Sequence, residues 1–426
     1  MMKTLAANTR RASRALASAP AAHRDAALTA LADILIERSA KILEANRADI
    51  EAAERDGLSA HLLARLKLSE DKLTGLADGL RQLVGQGDPL GRPLRKTELD
   101  DGLMLTQVTS PLGVLLVIFE SRPDAVIQIG GLALRTGNGL ILKGGKEAKH
   151  SNAILVDCIQ AALTAAGLPG EAIVGVEGRA AVAELLDCDH DIDLVIPRGS
   201  AELVRTIQQT SRIPVMGHAD GICHTYIDAA ADPQMAAAVT TDGKCDYPSA
   251  CNATESLLVH SAFLPHLATL GDALVAQGVT LLADVRALPH LKGAKAAGPE
   301  DGRTEYGDLR LAVSVVDSME DAITLIHANG SGHTETIVTE DAEAAQSFLD
   351  RVDSASVFHN ASTRFADGFR YGLGAEVGIS TGRIHARGPV GADGLLTTRW
   401  LLRGSGQVAS SYGPGKRAFK HLRIPL

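Results

Sequence analysis

Hydrophobic residues recur at helical spacing along the first 84 residues of the chain. Leu28, Leu31 and Leu35 lie on one stripe at helical spacing, and Arg and Glu residues lie elsewhere in the segment. Ser69 is followed by two acidic residues, which is typical of an N-cap and the first turn of a helix. The pattern predicts that residues 4–84 form helices whose apolar faces pack against the rest of the protein.

A segment rich in glycine and proline, residues 85–93, separates these helices from two short alternating runs. The runs, Leu94–Leu99 and Leu103–Thr109, flank Asp101-Gly102, a dipeptide that favours a two-residue hairpin turn. The sequence therefore predicts a β-hairpin. It is either an arm that contacts another subunit or an ordinary surface hairpin, and the pattern leaves both open.

From residue 112 onward, apolar runs alternate with amphipathic segments. Val114–Phe119 is apolar throughout, as expected of a strand that is buried on both faces of a parallel sheet. The repetition of strand and helix indicates a doubly wound α/β domain. Its further strands are predicted at 140–143, 173–176, 192–196 and 224–227. A second α/β unit is predicted beyond residue 228, with strands at 256–260, 312–316, 336–338 and 356–359.

Composition narrows the class of protein. At 426 residues the chain exceeds the usual size of a single hydrophobic core, so two or three domains are expected. The 42 basic and 51 acidic residues give a net charge of −9, which disfavours a nucleic-acid or anionic-membrane binder. No apolar run reaches the roughly 18 residues of a membrane span. Five cysteines without a CxxC pair, and a start without the apolar region of a signal peptide, predict a cytoplasmic protein.

Two glycine-containing turns follow predicted strands and are candidate anion sites. They are Lys143–Glu147 and Ile196–Ser200. Backbone N–H groups at the start of a helix attract anions, and a neighbouring Lys or Arg adds positive charge. Neither turn has the spacing of a dinucleotide fingerprint or a P-loop, so each one alone is compatible with a plain turn. Two such turns at the carboxyl ends of strands in one sheet favour a ligand site.

The loop Lys244–Asn252 carries the candidate nucleophile. Cys251 precedes a predicted buried strand, at the junction of the two units, where a thiol would lie in a cleft. Backbone N–H groups and the amide of Asn252 would lie near a developing oxyanion. The residues themselves leave two alternatives open, namely a buried structural cysteine at 251 and Cys245 as the reactive thiol.

Two further groups of polar residues give weaker signals. His218, Cys223 and His224 lack the spacing of a common zinc site, so no metal is expected. The glycine-rich segment 360–387 places hydroxyl groups beside an arginine. Such a loop either holds a carboxylate or phosphate through charge-assisted hydrogen bonds or is a simple connector.

Motifs in a characteristic order make this sequence resemble a known family. They are PLGV at 111–114, ESRPD at 120–124, PSACN at 248–252, HANGSGHTETI at 327–337, NASTRF at 360–365, GLGAEVGIS at 372–380 and HARGP at 385–389. Together they resemble the gamma-glutamyl phosphate reductases of the aldehyde dehydrogenase superfamily, over about residues 5–412. The resemblance implies the NADPH-dependent reduction of L-glutamyl 5-phosphate to glutamate 5-semialdehyde and phosphate, the second step of proline biosynthesis.

The resemblance also implies roles for individual residues. Cys251 matches the nucleophile, whose thiolate would attack the acyl phosphate and form a thioester. The composition of the oxyanion hole stays open, with the Cys251 N–H and Asn252 as candidates. The residues implied for NADPH are Lys143, Lys146, Gly199, Ser200 and Glu305, with the charge of Lys146 favouring a 2′-phosphate. The residues implied for the substrate are Arg122 at the phosphate and Ser362, Thr363 and Arg364 at the glutamyl end.

Two departures from hydrolytic aldehyde dehydrogenases bear on the reaction. Their Trp-Asn-Phe-Pro element is replaced by Glu120–Pro123, and their Glu-Leu-Gly-Gly base segment has no counterpart around Val215–Gly221. The loss of a base that activates water suits a thioester that must meet hydride or phosphate. The rival hypotheses are an ordinary aldehyde dehydrogenase, active without phosphate, and a non-catalytic nucleotide-binding protein that keeps the fold.

The resemblance predicts an aldehyde-dehydrogenase-like fold with two doubly wound α/β domains and a small β arm. The NADP-binding domain would cover 1–225, interrupted by the hairpin 90–110 and completed by 380–395. The catalytic domain would cover 226–380, and the tail 396–426 would join the hairpin in oligomerisation. The implied partners are L-glutamyl 5-phosphate, further copies of the chain in a homo-oligomer and, as an open point, glutamate 5-kinase.

Overall fold

The structure is a computed structural model that describes residues 1–426, apart from the side chains of Ala60 and His61. Five helices open the chain. They are α1 (Met2–Ser18), α2 (Ala21–Glu37), α3 (Ser39–Arg55), α4 (Ala60–Leu66) and α5 (Glu70–Gly85).

The sequence prediction of these helices is confirmed. Leu28, Leu31 and Leu35 are fully buried, so the apolar stripe of α2 faces the core. The Ser69 side chain accepts a hydrogen bond from the N–H of Lys72, and α5 begins at the predicted cap. The hairpin also forms where it was predicted, as the antiparallel strands β1 (Pro93–Asp100) and β2 (Leu103–Pro111).

The first α/β unit has a parallel sheet of four strands in the order β5-β4-β3-β6. The strand β3 is buried at all six positions, which explains its uninterrupted apolar sequence. The strands are β3 (Val114–Phe119), β4 (Gly139–Lys143), β5 (Ile173–Gly175) and β6 (Leu194–Arg198). The helices are α6 (Asp124–Arg135), α7 (Lys149–Ala165), α8 (Arg179–Leu186) and α9 (Ala201–Thr210).

The second unit has a parallel sheet of seven strands in the order β10-β9-β11-β8-β7-β12-β13. The strands are β7 (Cys223–Ile227), β8 (Thr254–His260), β9 (Thr280–Ala283), β10 (Lys295–Ala296), β11 (Arg310–Val316), β12 (Thr334–Val338) and β13 (Ser356–His359). The helices are α10 (Pro233–Cys245), α11 (Leu264–Ala276), α12 (Met319–Asn329) and α13 (Ala342–Arg351).

The sheet order corrects one sequence prediction. The strand at 224–227 was assigned to the first unit, but β7 lies in the middle of the second sheet, between β8 and β12. A buried parallel strand has the same apolar pattern in either sheet, so periodicity does not tell which sheet the strand joins. The last strand that the first sheet contains is β6, and the second sheet begins with β7.

The last part of the chain returns to the first unit and to the hairpin. Val377, Val390 and Leu395 are buried in the core of the first unit, around the short pair β14 (Ile379–Ser380) and β15 (Gly388–Pro389). The tail strands β16 (Leu396–Arg403) and β17 (Leu422–Ile424) then pair with β2 and β1, in the order β16-β2-β1-β17. The predicted domain boundaries and the oligomerisation role of this small sheet stay predictions. Within the described residues, no helix combines the length and the apolar character that are needed to cross a membrane.

Candidate active site

The candidate active site lies where the amino edge of the second sheet meets the first unit. Cys251 is in the turn that connects α10 to β8, and His333 directly precedes β12. His218 lies in the segment that leads from the first unit into β7. Because β8, β7 and β12 are neighbouring parallel strands, the residues just before them meet at one edge.

One atom from each of these three residues lies within 4.8 Å of the others, namely the Cys251 sulfur and one ring nitrogen of each histidine. His218 Nδ1 donates a hydrogen bond to the carbonyl oxygen of Ile379 at 2.8 Å, which leaves its Nε2 for the thiol. His333 is fully buried, and its Nε2 has no hydrogen-bond partner among the described residues. The two imidazole rings are edge-on to one another, with centroids 5.0 Å apart.

These contacts set the charge state of the thiol. Burial alone would raise the pKa of Cys251, but the charge of His333, together with the hydrogen bond and the charge of His218, holds this pKa well below its ordinary value. Burial would lower the pKa of His218, whereas its hydrogen bond and ion pairing with Cys251 raise that pKa to about 9. Both shifts favour the Cys251 thiolate paired with a protonated imidazole, which is the reactive form of a cysteine.

The other thiol in the same segment has the opposite environment. Cys245 is the last residue of α10 and packs against the core of the second unit. Burial raises its pKa, although the charge of neighbouring Lys244 partly offsets this. The alternative in which Cys245 is the nucleophile therefore has no support from its surroundings.

The backbone around Cys251 is tightly held. A Cβ atom at Gly221 would lie 2.4 Å from the Cys251 carbonyl oxygen, so only glycine fits at that position. The Cys223 thiol donates a hydrogen bond to the same carbonyl at 3.3 Å. The side chain of Cys223 is thus a support of the nucleophile loop, and His224 pairs with Glu335 at 2.9 Å. The three residues considered for zinc have separate partners, and only His218 reaches the cleft.

A thiolate and two imidazoles are also groups that could hold a soft cation. Coordination would use the sulfur lone pair that a nucleophile needs. We therefore interpret Cys251, His218 and His333 as a nucleophile with two histidines that adjust its charge.

Asn252 and Arg364 support the loop from the other side. Asn252 is buried, its Nδ2 donates to the carbonyl of Ala366 at 2.9 Å, and its Oδ1 accepts a hydrogen bond from the Arg364 guanidinium. Arg364 Nε also donates to Asp246 Oδ2 at 3.1 Å. One of the two amide hydrogens of Asn252 and its oxygen already have protein partners, so one amide hydrogen is left for an oxyanion. The oxyanion role of Asn252 stays a prediction.

The neighbouring hydroxyl groups are also used within the protein. Ser362 Oγ accepts a hydrogen bond from the N–H of Arg364 at 3.2 Å. Thr363 Oγ1 lies 3.2 Å from Thr254 Oγ1, at the start of β8. Ser362, Thr363 and Arg364 are all buried, and their predicted contact with the glutamyl end of a substrate stays a prediction.

A groove of about 1310 Å³ on the first unit suits a dinucleotide. Lys143 and Lys146 both line it, and so does Ser200, which caps the amino end of α9. A Cβ atom at Gly144 would lie 2.0 Å from Asn152 Nδ2, so a side chain at this position of the turn after β4 would clash with Asn152. A long cavity that combines lysines, a helix amino terminus and a glycine turn fits an elongated anionic cofactor. Gly199 is the residue before the helix cap and is exposed.

Glu305 lies in the cleft near the nucleophile, away from Lys143 and Lys146. Its Oε2 accepts a hydrogen bond from the N–H of Gly221 at 2.9 Å. Partial desolvation, together with the charge of Cys251, raises the pKa of this carboxyl group. The position brings Glu305 to the catalytic end of the cleft, where the predicted contact with a nicotinamide ribose would have to occur.

Two arginines lie at the carboxyl edge of the first sheet. Arg122 follows β3 and Arg198 ends β6. Burial, and then the charge of Arg122, lower the pKa of Arg198, whereas the nearby charges of Glu376 and Cys251 act in the opposite direction. The charge of Arg198 therefore interacts with Cys251, and Arg122 lies close enough to Arg198 for their charges to interact.

Sequence reasoning missed His333, Arg198 and the catalytic use of His218. His333 lies in the HANGSGHTETI motif and Arg198 in the Ile196–Ser200 turn. Neither motif by itself assigns a role to these side chains. Position was an available signal for His333 and Arg198, which lie within a few residues of predicted strands, whereas His218 lies in a loop and gives no such signal.

Known proteins resemble this chain along its whole length. A family model described as "Aldehyde dehydrogenase family" matches residues 2–277. A gamma-glutamyl phosphate reductase of Synechococcus sp. (strain CC9605) is 51% identical over 418 residues, which cover 98% of this chain and 96% of that protein. A delta-1-pyrroline-5-carboxylate synthase of Solanum lycopersicum is 51% identical over 410 residues, which cover 95% of this chain and 56% of that protein.

Among solved structures, a gamma-glutamyl phosphate reductase of Thermotoga maritima superimposes with a TM-score of 0.93 at 35% sequence identity. The match covers 96% of this chain and 99% of that chain. The shared architecture therefore includes both α/β units and the small sheet of the hairpin and tail.

Proposed function

The chain belongs to the gamma-glutamyl phosphate reductases of the aldehyde dehydrogenase family, and we propose that it works by thioester chemistry on Cys251. Its activity is the reduction of L-glutamyl 5-phosphate to glutamate 5-semialdehyde and phosphate, the proline biosynthesis step from glutamate. The observation that carries the proposed mechanism is the Cys251 thiol, whose pKa is lowered although it is partly buried, between two histidines.

The first half of the reaction follows from the charges around the sulfur. The Cys251 thiolate attacks the acyl carbon, the C–O bond to phosphate breaks, and phosphate leaves with the bonding electron pair. Arg122 and Arg198 supply positive charge where the phosphate and the carbonyl oxygen carry negative charge. The product of this half is a thioester on Cys251.

In the second half the thioester is reduced. The dinucleotide supplies a hydride to the thioester carbon when it is bound. The imidazole of His218, which lies close to the reacting sulfur, is proposed to give a proton to the resulting oxygen. Collapse of this thiohemiacetal needs that proton to return, breaks the C–S bond and releases the aldehyde, so that Cys251 becomes a thiolate again.

The family uses NAD or NADP, and a preference of this chain for NADPH is part of the proposal. Lys143 and Lys146 line the groove beside the glycine turn, and neither forms an ion pair with a described side chain. Two cations without a counter-ion favour a ligand with the additional charge of a 2′-phosphate. Ser200, at the amino end of α9, is proposed to meet the pyrophosphate.

The proposal extends to partners and location. The acyl phosphate is labile, so we propose that the chain receives it by association with glutamate 5-kinase. The tomato relative supports this idea because there the matched unit is joined to further sequence, in a protein named as a synthase.

Homo-oligomerisation, which is common in the family, is proposed through the sheet of β1, β2, β16 and β17. Its strand β16 exposes Trp400 and Leu402. A cytoplasmic location is supported by the free thiols of all five cysteines.

The reverse reaction tests the function without the labile substrate. Glutamate 5-semialdehyde and NADP⁺ are mixed with the protein, and NADPH formation is followed by absorbance with and without inorganic phosphate. We expect formation of NADPH that requires phosphate, because phosphate must cleave the thioester. Reduction of NADP⁺ without phosphate would instead show hydrolysis of the thioester and an ordinary aldehyde dehydrogenase. Binding of the cofactor without any turnover would contradict both.

A further inference from the structure

A second cavity, of about 440 Å³, opens beside the nucleophile loop and has none of its lining residues in common with the cofactor groove. It is reached from the same loop that carries Cys251, since Ser249 lies in its wall. Three parts of the chain contribute to it, namely the α4–α5 region, the start of α6 and the nucleophile loop. The side chains that matter for its chemistry are Arg65, Lys72, Arg122, Asp124, Tyr247 and Ser249.

The charged side chains of this cavity have few ion-pair partners among the described residues. Arg65, Arg122 and Asp124 form no ion pair with any described side chain, and Arg65 Nε is buried without a hydrogen-bond partner. Lys72 Nζ donates one hydrogen bond, to the carbonyl of Lys67 at 2.7 Å, and keeps further donors free. Unpaired charges are costly to keep in a partly buried wall, so the cavity suits a ligand that brings the opposite charges.

The arginines on the far side of the same loop differ in this respect. Arg364 and Arg370 share the carboxylate of Asp246, at 3.1 and 2.9 Å. Their positive charge is already used to hold the loop. Free cationic groups therefore lie on the Arg65 and Arg122 side of Cys251 and face the cavity.

The positive charge of the cavity continues to the nucleophile. A hydrogen bond with Ser249 lowers the pKa of the Tyr247 phenol, whereas burial acts in the opposite direction. The charges of Arg65 and Arg122 lower this pKa further. Arg122 in turn lies close enough to Arg198 for their charges to interact, and the charge of Arg198 interacts with Cys251. A ligand whose acyl carbon lies at Cys251 and whose other end enters the cavity would meet cations at both ends.

We propose that this cavity is the subsite for the amino-acid end of the substrate, an inference that rests on the proposed function and extends it. Arg65 and Lys72 bind the α-carboxylate, and Asp124 binds the α-ammonium group. Arg122 lies between this end and the phosphate. Selection of an α-amino acid over other acyl phosphates is thus assigned to residues of the amino-terminal helices and the start of α6, and it does not depend on Ser362–Arg364, whose polar atoms have protein partners.

The test compares three aldehydes in the reverse reaction, with NADP⁺ and inorganic phosphate present. They are glutamate 5-semialdehyde, glutarate semialdehyde, which lacks the α-ammonium group, and 4-aminobutanal, which lacks the α-carboxylate. The variants are Asp124→Asn and Arg65→Gln. The matched control is Lys67→Gln, which removes an exposed cation at the end of the same helix, outside the cavity. Thermal unfolding and NADPH binding, followed by fluorescence, report whether each variant is folded.

We expect Asp124→Asn to lower kcat/KM for glutamate 5-semialdehyde on the order of 10-fold to 100-fold, and to leave glutarate semialdehyde unchanged. Arg65→Gln should lower kcat/KM for both carboxylates by a similar factor and spare 4-aminobutanal. Lys67→Gln should match the wild type on all three. An equal loss on all three aldehydes, or no loss, would overturn the subsite while the proposed function stands. A wild-type protein without phosphate-dependent turnover would overturn the function and the subsite together.

Discussion

The cleft has two walls that are organised in different ways. On the wall formed by the second sheet, the groups around Cys251 are tied to protein atoms. Cys223 and Gly221 hold its backbone, and Asn252 and Arg364 brace the loop behind it. On the wall formed by the first sheet, Lys143 and Lys146 extend into an open groove without ion-pair partners among the described residues.

The difference teaches which part of the reaction each wall serves. A reacting sulfur needs a fixed position and a fixed charge, since small displacements are costly in rate, and both are provided in advance by buried contacts. A cofactor that enters and leaves needs charges that are free until it binds. Changes on the second wall should therefore affect the chemical step and changes on the first wall should affect affinity. The following variants test this division, from the largest expected effect to the smallest.

Cys251→Ala should abolish turnover and leave cofactor binding intact. Without the sulfur no thioester forms, so we expect kcat to fall on the order of 10⁴-fold or more. The Kd for NADPH should remain within about 2-fold of the wild type, because the groove is lined by other residues. Steady-state rates and a fluorescence titration with NADPH give the two values.

The control for this variant is Cys245→Ala, a neighbouring thiol whose pKa is raised and which packs against the second core. It should keep turnover near the wild-type value, with a modest loss of thermal stability. Near-normal turnover in Cys251→Ala, or a complete loss in Cys245→Ala, would show that the wrong thiol has been assigned.

Removal of either histidine should lower the thiolate fraction of Cys251 without moving the sulfur. His333→Gln and His218→Gln each remove a group that holds the pKa of Cys251 below its ordinary value. A thiolate fraction falls as pH drops through the pKa of the thiol. We therefore expect the pH midpoint of alkylation by iodoacetamide to lie below that of an ordinary cysteine in the wild type, and to move to higher pH in each variant. The kcat at pH 7 should fall by about 10-fold to 100-fold.

His218 predicts a second feature of the pH profile. Its pKa of about 9 means that the imidazolium is present below pH 9 and is lost above it. Turnover of the wild type should therefore decline above about pH 9, and this alkaline limb should be absent or displaced in His218→Gln. A wild-type alkylation midpoint at the pH of an ordinary cysteine would contradict the lowered pKa of the thiol, whatever the effect of the variants on kcat.

These variants concern groups that differ in how far the sequence predicts them. The apolar runs that form β3 and β8, and the turn that carries Cys251, follow from local periodicity and from the motif around the cysteine. His218 and His333 come from distant parts of the chain and meet Cys251 only because β7, β8 and β12 are neighbours in the sheet. Strand order is set by tertiary packing, which periodicity does not encode, and for the same reason β7 was assigned to the wrong sheet.

The same limit explains Arg364 and Arg65. Arg364 stays a predicted substrate residue, and the fold also turns its guanidinium towards Asp246 and Asn252, contacts that the sequence does not predict. Arg65 belongs to helices that the sequence marks only as packing elements, yet the fold brings it beside Tyr247. Whether a charge has a partner is decided between elements, so a single sequence does not separate a structural arginine from one that is free to bind a ligand.

The smallest effect is expected on the first wall, from Lys146→Gln. Lys146 is exposed at the rim of the groove, and a contact with a 2′-phosphate would be screened by solvent, so it is worth about 1 kcal/mol, or roughly 5-fold in affinity. We expect KM for NADPH to rise by this factor while KM for NADH and kcat stay constant, and the difference between the cofactors to shrink at high salt. NADH serves as the internal control, since it lacks only the 2′-phosphate. An equal rise for both cofactors would place Lys146 at the pyrophosphate or the ribose, and a fall in kcat would contradict the division of labour between the two walls.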